Sequence, residues 1–226
     1  MVGMSDPNVG FYGGLVWYLE TRNWAFEKMR TCPRGSHPFD VRMYHSQYFA
    51  NLLSAVDHVC DHLRDDSPAR SAFVAKIEGG IQNYPYVREL RNAIVHRGLD
   101  PTAAAHADDT TLYVLCPADV QDRQRRNNYI TPFKYLVELA IHCDSVVNPA
   151  IADVLIQLNL FNATPHAISV EDIQAEIRNS TAMPDWAKEL AIKAWDEVDY
   201  PALTVEMATA RFQKMRNLLG QSNATS

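Results

Sequence analysis

The stretch that decides the fold class is residues 40–64, DVRMYHSQYFANLLSAVDHVCDHLR, which contains neither proline nor glycine. Its apolar side chains recur at intervals of three and four residues, the periodicity of an amphipathic α-helix. These positions are Val41, Tyr44, Tyr48, Leu52, Ala55, Val56, Val59 and Leu63. At 3.6 residues per turn, the stretch predicts a helix of about seven turns. Such a helix must bury its apolar face against other elements, which indicates a helical bundle.

The residues before this stretch predict one more helix. Residues 1–10 have no apolar periodicity, and we expect a loose arm that ends at the glycine pair 13–14. Apolar and aromatic side chains then follow at helical spacing over residues 15–29. The Pro-Arg-Gly run at 33–35 disfavours continuation, so this first helix is expected to end before it.

Two shorter helices are predicted after residue 64. Ser67 and Pro68 combine an N-cap residue with a proline at the first helical position, and they open a short helix that ends before the glycines at 79–80. The next helix is expected over residues 86–97. Gly98 directly follows it and provides its stop.

Residues 100–131 interrupt the helical pattern. Residues 110–116 are rich in β-branched and aromatic side chains, and residues 128–131 are their predicted partner in a small β-hairpin with a basic loop. Thr131 and Pro132 repeat the cap-and-proline signal, which predicts a second long helix running towards residue 160.

The fold class predicted from these signals is all-α. Residues 1–160 are expected to form a bundle of four to five helices that carries the small β-hairpin as an insertion. A linker is expected at 162–166. Residues 161–226 then form a C-terminal helical extension, which we expect to pack on the bundle.

The composition is that of an ordinary globular protein, with 47% apolar and 21% charged residues. A formal charge of −6 excludes a long-range attraction to nucleic acid or anionic lipid, so any phosphate-binding surface must be a local patch. The four cysteines form no Cys-x-x-Cys pair, which indicates reduced thiols. Neither a membrane-spanning run nor a secretory signal is found, and we therefore expect a cytoplasmic protein without membrane contact.

Chemistry is concentrated in the predicted helix 86–97, in the run Arg91-Asn92-Ala93-Ile94-Val95-His96. On a helical wheel, Arg91 falls inside an apolar arc, where a guanidinium needs a buried partner or a cleft that admits a phosphate. The arc consists of Val87, Leu90, Ile94 and Val95. Arg88, Asn92 and His96 form a polar ridge on the other side, and Arg97 flanks the arc.

These residue types suit cleavage of a phosphodiester by an RNA 2′-hydroxyl group. Histidine is the residue type suited to moving protons at physiological pH, so His96 is the candidate proton carrier, while Arg91 is the candidate anchor for the charge that develops on the phosphate. Asn92, one turn before His96, could hold the imidazole or touch the nucleic-acid backbone. The ideal angle between Arg91 and His96 is about 140°, so a dimer or a distorted helix is needed to bring both onto one phosphate. Neither a metal nor another cofactor is required.

The six-residue motif, set late in an all-helical bundle, resembles the HEPN superfamily (higher eukaryotes and prokaryotes nucleotide-binding). The resemblance implies a bundle that forms a homodimer, with two copies of the motif in one cleft, and metal-independent endoribonuclease activity. It also implies a role as a toxin or phage-defence effector, with an antitoxin protein as a possible partner. Because the superfamily includes non-catalytic members, a helical module that binds a nucleotide or a partner protein is the alternative. A purely structural reading, in which Arg91 pairs with a carboxylate and His96 serves the helix end, is also open.

A basic loop is the second candidate feature. It contains Arg123, Arg125 and Arg126, with Tyr129 beside it, and could bind an RNA backbone while the aromatic ring stacks on a base. With Arg88 and Arg97, these residues form the predicted RNA-binding set, although three arginines in a polar turn also serve solubility alone. His58 and His62 lie one turn apart, but no second cluster of ligand residues accompanies them, so no metal site is predicted. P-loop, dinucleotide-binding, serine-hydrolase and zincin motifs do not occur.

Overall fold

Eight helices and four short strands make up the part of the chain that the computed structural model describes, namely residues 7–63, 65, 67–158, 160, 170–196 and 200–220. The helices are α1 Pro7–Arg30, α2 Pro38–His62, α3 Pro68–Gly80, α4 Tyr84–Arg97, α5 Leu136–Gln157, α6 Val170–Asn179, α7 Asp185–Asp196 and α8 Tyr200–Leu218. The strands are β1 Ala105–Ala107, β2 Leu112–Val114, β3 Val120–Gln121 and β4 Asn128–Tyr129. With 67% helix and 8% strand, the predicted all-α class with a small β insertion is confirmed.

The long helix predicted from residues 40–64 is α2, and its ends follow local signals. His37 is the N-cap residue, and its Nδ1 accepts a hydrogen bond of 3.2 Å from the backbone N–H of Phe39. Helix α3 begins as expected, since Ser67 Oγ accepts from the backbone N–H of Arg70 at 3.1 Å. Helix α2 buries one apolar face, as its periodicity predicts, and α3 buries Phe73 and Ile77.

Helix α1 starts earlier than the sequence suggested. It begins at Pro7 and runs through the glycine pair 13–14, so the prediction that residues 7–10 belong to a loose arm was wrong. Gly14 has a packing role, because a Cβ atom there would lie only 2.7 Å from Nε2 of His58 on α2. The glycine thus permits a close helix–helix contact.

The β-region forms two local hairpins rather than one. Strand β1 pairs with β2 in an antiparallel register that places His106 opposite Tyr113. Strand β3 pairs with β4, placing Val120 opposite Tyr129. The predicted pairing of 110–116 with 128–131 was therefore wrong, because each segment pairs with the nearest strand along the chain.

Helix α5 begins at Leu136, four residues after the proline that the sequence pointed to. The intervening chain bonds elsewhere, since the carbonyl of Lys134 accepts from the backbone N–H of Cys116 at 2.9 Å. Glu138 then accepts from the backbone N–H of Tyr135 at 3.1 Å and caps the helix. By length and composition α5 could cross a membrane, but half of its apolar stretch is buried inside the protein, as in a core helix of a soluble protein.

A polar cluster lies within the interior beside α5. The guanidinium of Arg22 is 1% exposed, and its Nη1 lies 3.5 Å from Oδ1 of Asp144. The hydroxyl of Tyr48 lies 2.8 Å from that same carboxylate oxygen and 2.8 Å from the carbonyl oxygen of Ala140. Burial is the main influence on the Asp144 carboxyl and raises its pKa. This cluster ties α1, α2 and α5 together.

The chain forms two compact units. The first contains Met1–Val154 and Leu218–Ser226, and the second contains Leu155–Asn217. The sequence placed a boundary between residues 160 and 161, whereas the units divide between 154 and 155. The predicted linker at 162–166 lies outside the described residues.

Candidate active site

Helix α4 carries the motif and is fixed at its C-terminal end by Gly98. This glycine adopts the left-handed conformation with φ of 70°, and its backbone N–H donates to the carbonyl of Ala93. The buried face of α4 consists of Tyr86, Val87, Leu90 and Ala93. Val95, which the helical wheel placed in the apolar arc, is 49% exposed, so that assignment was wrong.

Arg91 faces a cavity of about 440 Å³ between α2, α3 and α4. Its guanidinium donates to the carboxylate of Asp57 on α2, and the side chain is 20% exposed. Its Nε atom is buried and has no hydrogen-bond partner among the described residues. Arg88 and Tyr84 line the same cavity, and burial raises the pKa of the Tyr84 hydroxyl above its ordinary value. The carboxylate partner that a guanidinium in this position requires is therefore Asp57.

His96 faces a different cleft, of about 630 Å³, on the other side of α4. Helix α4 contributes Glu89, Asn92, His96 and Arg97, and the turn between β3 and β4 contributes Asp122, Arg123 and Gln124. His96 is exposed and makes no hydrogen bond or ion pair with any residue that the structure describes. Both ring nitrogens of His96 are therefore open to a molecule that enters the cleft.

Glu89 organises the wall of the His96 cleft. Its Oε1 accepts a hydrogen bond of 3.1 Å from Nδ2 of Asn92, and its Oε2 lies 3.3 Å from Nη1 of Arg97. An ionised carboxylate can only accept, so the amide nitrogen of Asn92 faces Glu89 and donates one of its two N–H groups to it. The carbonyl oxygen of Asn92 is left as an acceptor for a hydroxyl or for a ring N–H of His96.

The two motif side chains therefore do not converge within one chain. Arg91 and His96 line separate cavities on opposite sides of α4, in agreement with the angle of about 140° between their positions on an ideal helix. The predicted ridge of three polar residues is also divided, because Arg88 shares the cavity of Arg91 while Asn92 lies in the cleft of His96.

Comparison with family models, curated proteins and solved structures finds no match to this chain. The resemblance to HEPN proteins consequently stays a prediction that rests on residues 91–96.

The basic loop is the turn between β3 and β4, and only part of it reaches the cleft. Arg123 lines the cleft of His96, whereas Arg125, Arg126 and Tyr129 are not among its lining residues. Arg125 has a positive φ of 57°, a left-handed conformation typical of a residue in a tight turn. The predicted RNA-binding set is thus reduced, at this cleft, to Arg97 and Arg123.

Sequence reasoning missed three acidic residues of the site, Asp57, Glu89 and Asp122. Glu89 could have been found, because it precedes Asn92 by three positions and His96 by seven, which places all three on one helix face. Asp57 and Asp122 come from other elements and had no such local signal.

The histidine pair at one-turn spacing has other contacts. Nε2 of His58 lies 2.9 Å from the carbonyl oxygen of Phe11, and the ring of His62 stacks on the Phe11 ring with 3.8 Å between centroids. Within the described residues, no group of three or more potential metal ligands is found. These histidines fasten α2 to the start of α1.

Proposed function

We propose that this protein is a metal-independent endoribonuclease of HEPN type that acts as a cytoplasmic homodimer. The observation that carries the proposal is the cleft in which an exposed His96, without a protein partner among the described residues, lies beside Asn92, Arg97 and Arg123. A histidine with free ring nitrogens and nearby guanidinium groups has the chemistry to move protons at a phosphodiester.

In the proposed reaction, a ring nitrogen of one His96 takes the proton of an RNA 2′-hydroxyl group. The 2′-oxygen forms a bond to the adjacent phosphorus, and the bond from phosphorus to the 5′-oxygen breaks. The leaving 5′-oxygen receives a proton from the protonated His96 of the second copy, and the products are a cyclic phosphate and a 5′-hydroxyl end. Arg91 stabilises the charge that builds on the phosphate oxygens.

The second copy is required because each chain holds Arg91 and His96 apart. A two-fold axis near α4 would place Arg91 of one copy across from His96 of the other, which completes the site. A nuclease of this kind fits a toxin or phage-defence effector that an antitoxin protein holds inactive.

The test is cleavage of single-stranded and transfer RNA by the purified protein in the presence of EDTA. We expect cleavage by the natural protein and none by His96→Ala or Arg91→Ala, while His106→Ala, an exposed histidine of β1, serves as the matched control. Mixing the two inactive variants should not restore activity, because a mixed dimer holds only one His96 and the reaction uses His96 from both copies. No cleavage, or equal cleavage by all variants, contradicts the proposal.

A non-catalytic module that binds a nucleotide or a protein is the second candidate. It is favoured by the ion pair between Arg91 and Asp57, which neutralises the arginine away from His96. RNA or nucleotide binding without cleavage by the dimer, unchanged in His96→Ala, would support this second function.

A further inference from the structure

Some side chains that line the His96 cleft are hydrogen-bonded within the protein, and others are free to bind a ligand. Glu89 and Arg97 are bonded to each other, and the carboxylate of Asp122 accepts from the backbone of its own turn. The side chains of Arg123 and Gln124 make no hydrogen bond or ion pair with any described residue. The consecutive residues Arg123 and Gln124 thus present unbonded polar side chains to the cleft that holds His96.

The turn that presents them is internally braced. Oδ1 of Asp122 accepts from the backbone N–H of Arg126 at 2.9 Å, and its Oδ2 accepts from Nδ2 of Asn127 at 2.8 Å. The backbone N–H of Arg125 donates to the carbonyl of Asp122 at 3.1 Å. The positions of residues 123 and 124 are therefore set before any ligand arrives.

The hairpin is also fastened to α4 on both sides of the turn. The hydroxyl of Tyr86 donates to the carbonyl of Pro117 at 2.8 Å, just before β3. Nδ2 of Asn83 donates to the carbonyl of Ile130 at 3.2 Å, just after β4. Val120 of β3 is 3% exposed. The turn is consequently held at a fixed place relative to His96, which lies on the same helix.

The charges of the cleft favour a base over a second phosphate. Its two carboxylates offset its two guanidinium groups, so the cleft has no excess positive charge with which to hold a second phosphate. A free guanidinium offers two parallel donors, and the nucleobase edge that matches them is the O6 and N7 pair of guanine. The volume of about 630 Å³ lies in the range of pockets that enclose small ligands.

We propose that Arg123, with Gln124 beside it, selects a guanine base next to the phosphodiester at which His96 transfers protons. This inference rests on the proposed ribonuclease function and names the substrate feature that the same site reads. Arg123 donates to O6 and N7, and the amide of Gln124 supplies one further donor and one acceptor to the bound nucleotide.

The test uses uridine octamers that carry guanosine, adenosine, cytidine or uridine at one central position. Binding to the full-length His96→Ala variant is followed by fluorescence anisotropy, and cleavage positions are mapped with the natural protein. We expect about tenfold tighter binding of the guanosine octamer, the size of one bidentate contact to a base. Cleavage should occur beside that guanosine.

Three substitutions in the His96→Ala background distinguish recognition of the guanine base from attraction by positive charge. Arg123→Ala should remove the guanine preference, and Arg123→Lys should remove it while keeping the positive charge, because an ammonium cannot make the two parallel bonds. Arg125→Ala removes an equal charge from the same turn but outside the cleft, and it should keep the preference. These positions are exposed, so the fold is retained.

Different failures have different meanings. Equal affinity for all four octamers, or a guanine preference that survives Arg123→Lys, overturns the base assignment while RNA cleavage by the natural protein still stands. The absence of both RNA binding and cleavage overturns the assignment together with the proposed function.

Discussion

Replacing Asp57 with asparagine is expected to strengthen the binding of single-stranded RNA, because it releases the positive charge of Arg91. The carboxylate of Asp57 is 59% exposed and the Arg91 side chain is 20% exposed. A pair so open to water is worth at most about 1 kcal/mol. Since about 1.4 kcal/mol corresponds to a tenfold change in affinity, the gain is at most about fivefold.

The dependence on salt provides a sharper measure than affinity alone. If the released Arg91 contacts one more phosphate, a plot of log affinity against log salt concentration steepens by about 0.7 for single-stranded RNA. Fluorescence anisotropy between low and moderate salt gives this slope for the natural protein and for Asp57→Asn. Adding Arg91→Gln to the variant should abolish the gain. An unchanged slope and affinity in Asp57→Asn, with RNA binding intact in the natural protein, would refute the reasoning.

Two further predictions concern stability. Burial lowers the pKa of His45 from 6.5 to about 4, so its neutral form stabilises the fold fully above pH 6.5, and this contribution is lost as the pH falls towards 4. At about 1.4 kcal/mol per pH unit, this loss of stability reaches about 3 kcal/mol. Urea unfolding at several pH values should show that the free energy of unfolding of His45→Gln depends less on pH than that of the natural protein. An equal pH dependence in both proteins would contradict the assignment. Asp144→Ala leaves the buried guanidinium of Arg22 uncompensated and should lower the free energy of unfolding by about 3–5 kcal/mol in chemical denaturation. Replacing Arg22 with methionine and Asp144 with leucine together should lower the free energy of unfolding much less. Equal losses of this free energy in the single and double variants would speak against a buried charge as the cause.

The helices that the sequence predicted well are those with local signals at their ends. Ser67 caps α3 and Gly98 ends α4, and both effects act within a few residues along the chain. The start of α1 was missed because Gly14 serves a contact with α2, which no local rule contains. The start of α5 was displaced because Lys134 bonds to Cys116, a residue from another segment.

The same division applies to the candidate site. The sequence placed the motif on a helix, and the ideal helix angle anticipated the separation of Arg91 from His96. It could not supply Asp57 or the orientation of Arg123, because these depend on how α2 and the β3–β4 hairpin lie against α4. The angles between side chains on one helix can therefore be predicted from the sequence of that helix, while ion pairs between different elements cannot.

The return of the chain to the first compact unit at residue 218 matters for how the protein can be shortened. Nδ2 of Asn23 on α1 donates to the carbonyl of Leu218 at 2.9 Å, and Leu219 is 3% exposed. A chain cut after residue 160 would therefore lack a piece of the same interior that holds α1. A smaller version that keeps this interior must instead excise residues from the middle of the second unit and rejoin the ends, so that the last turn of α8 is retained.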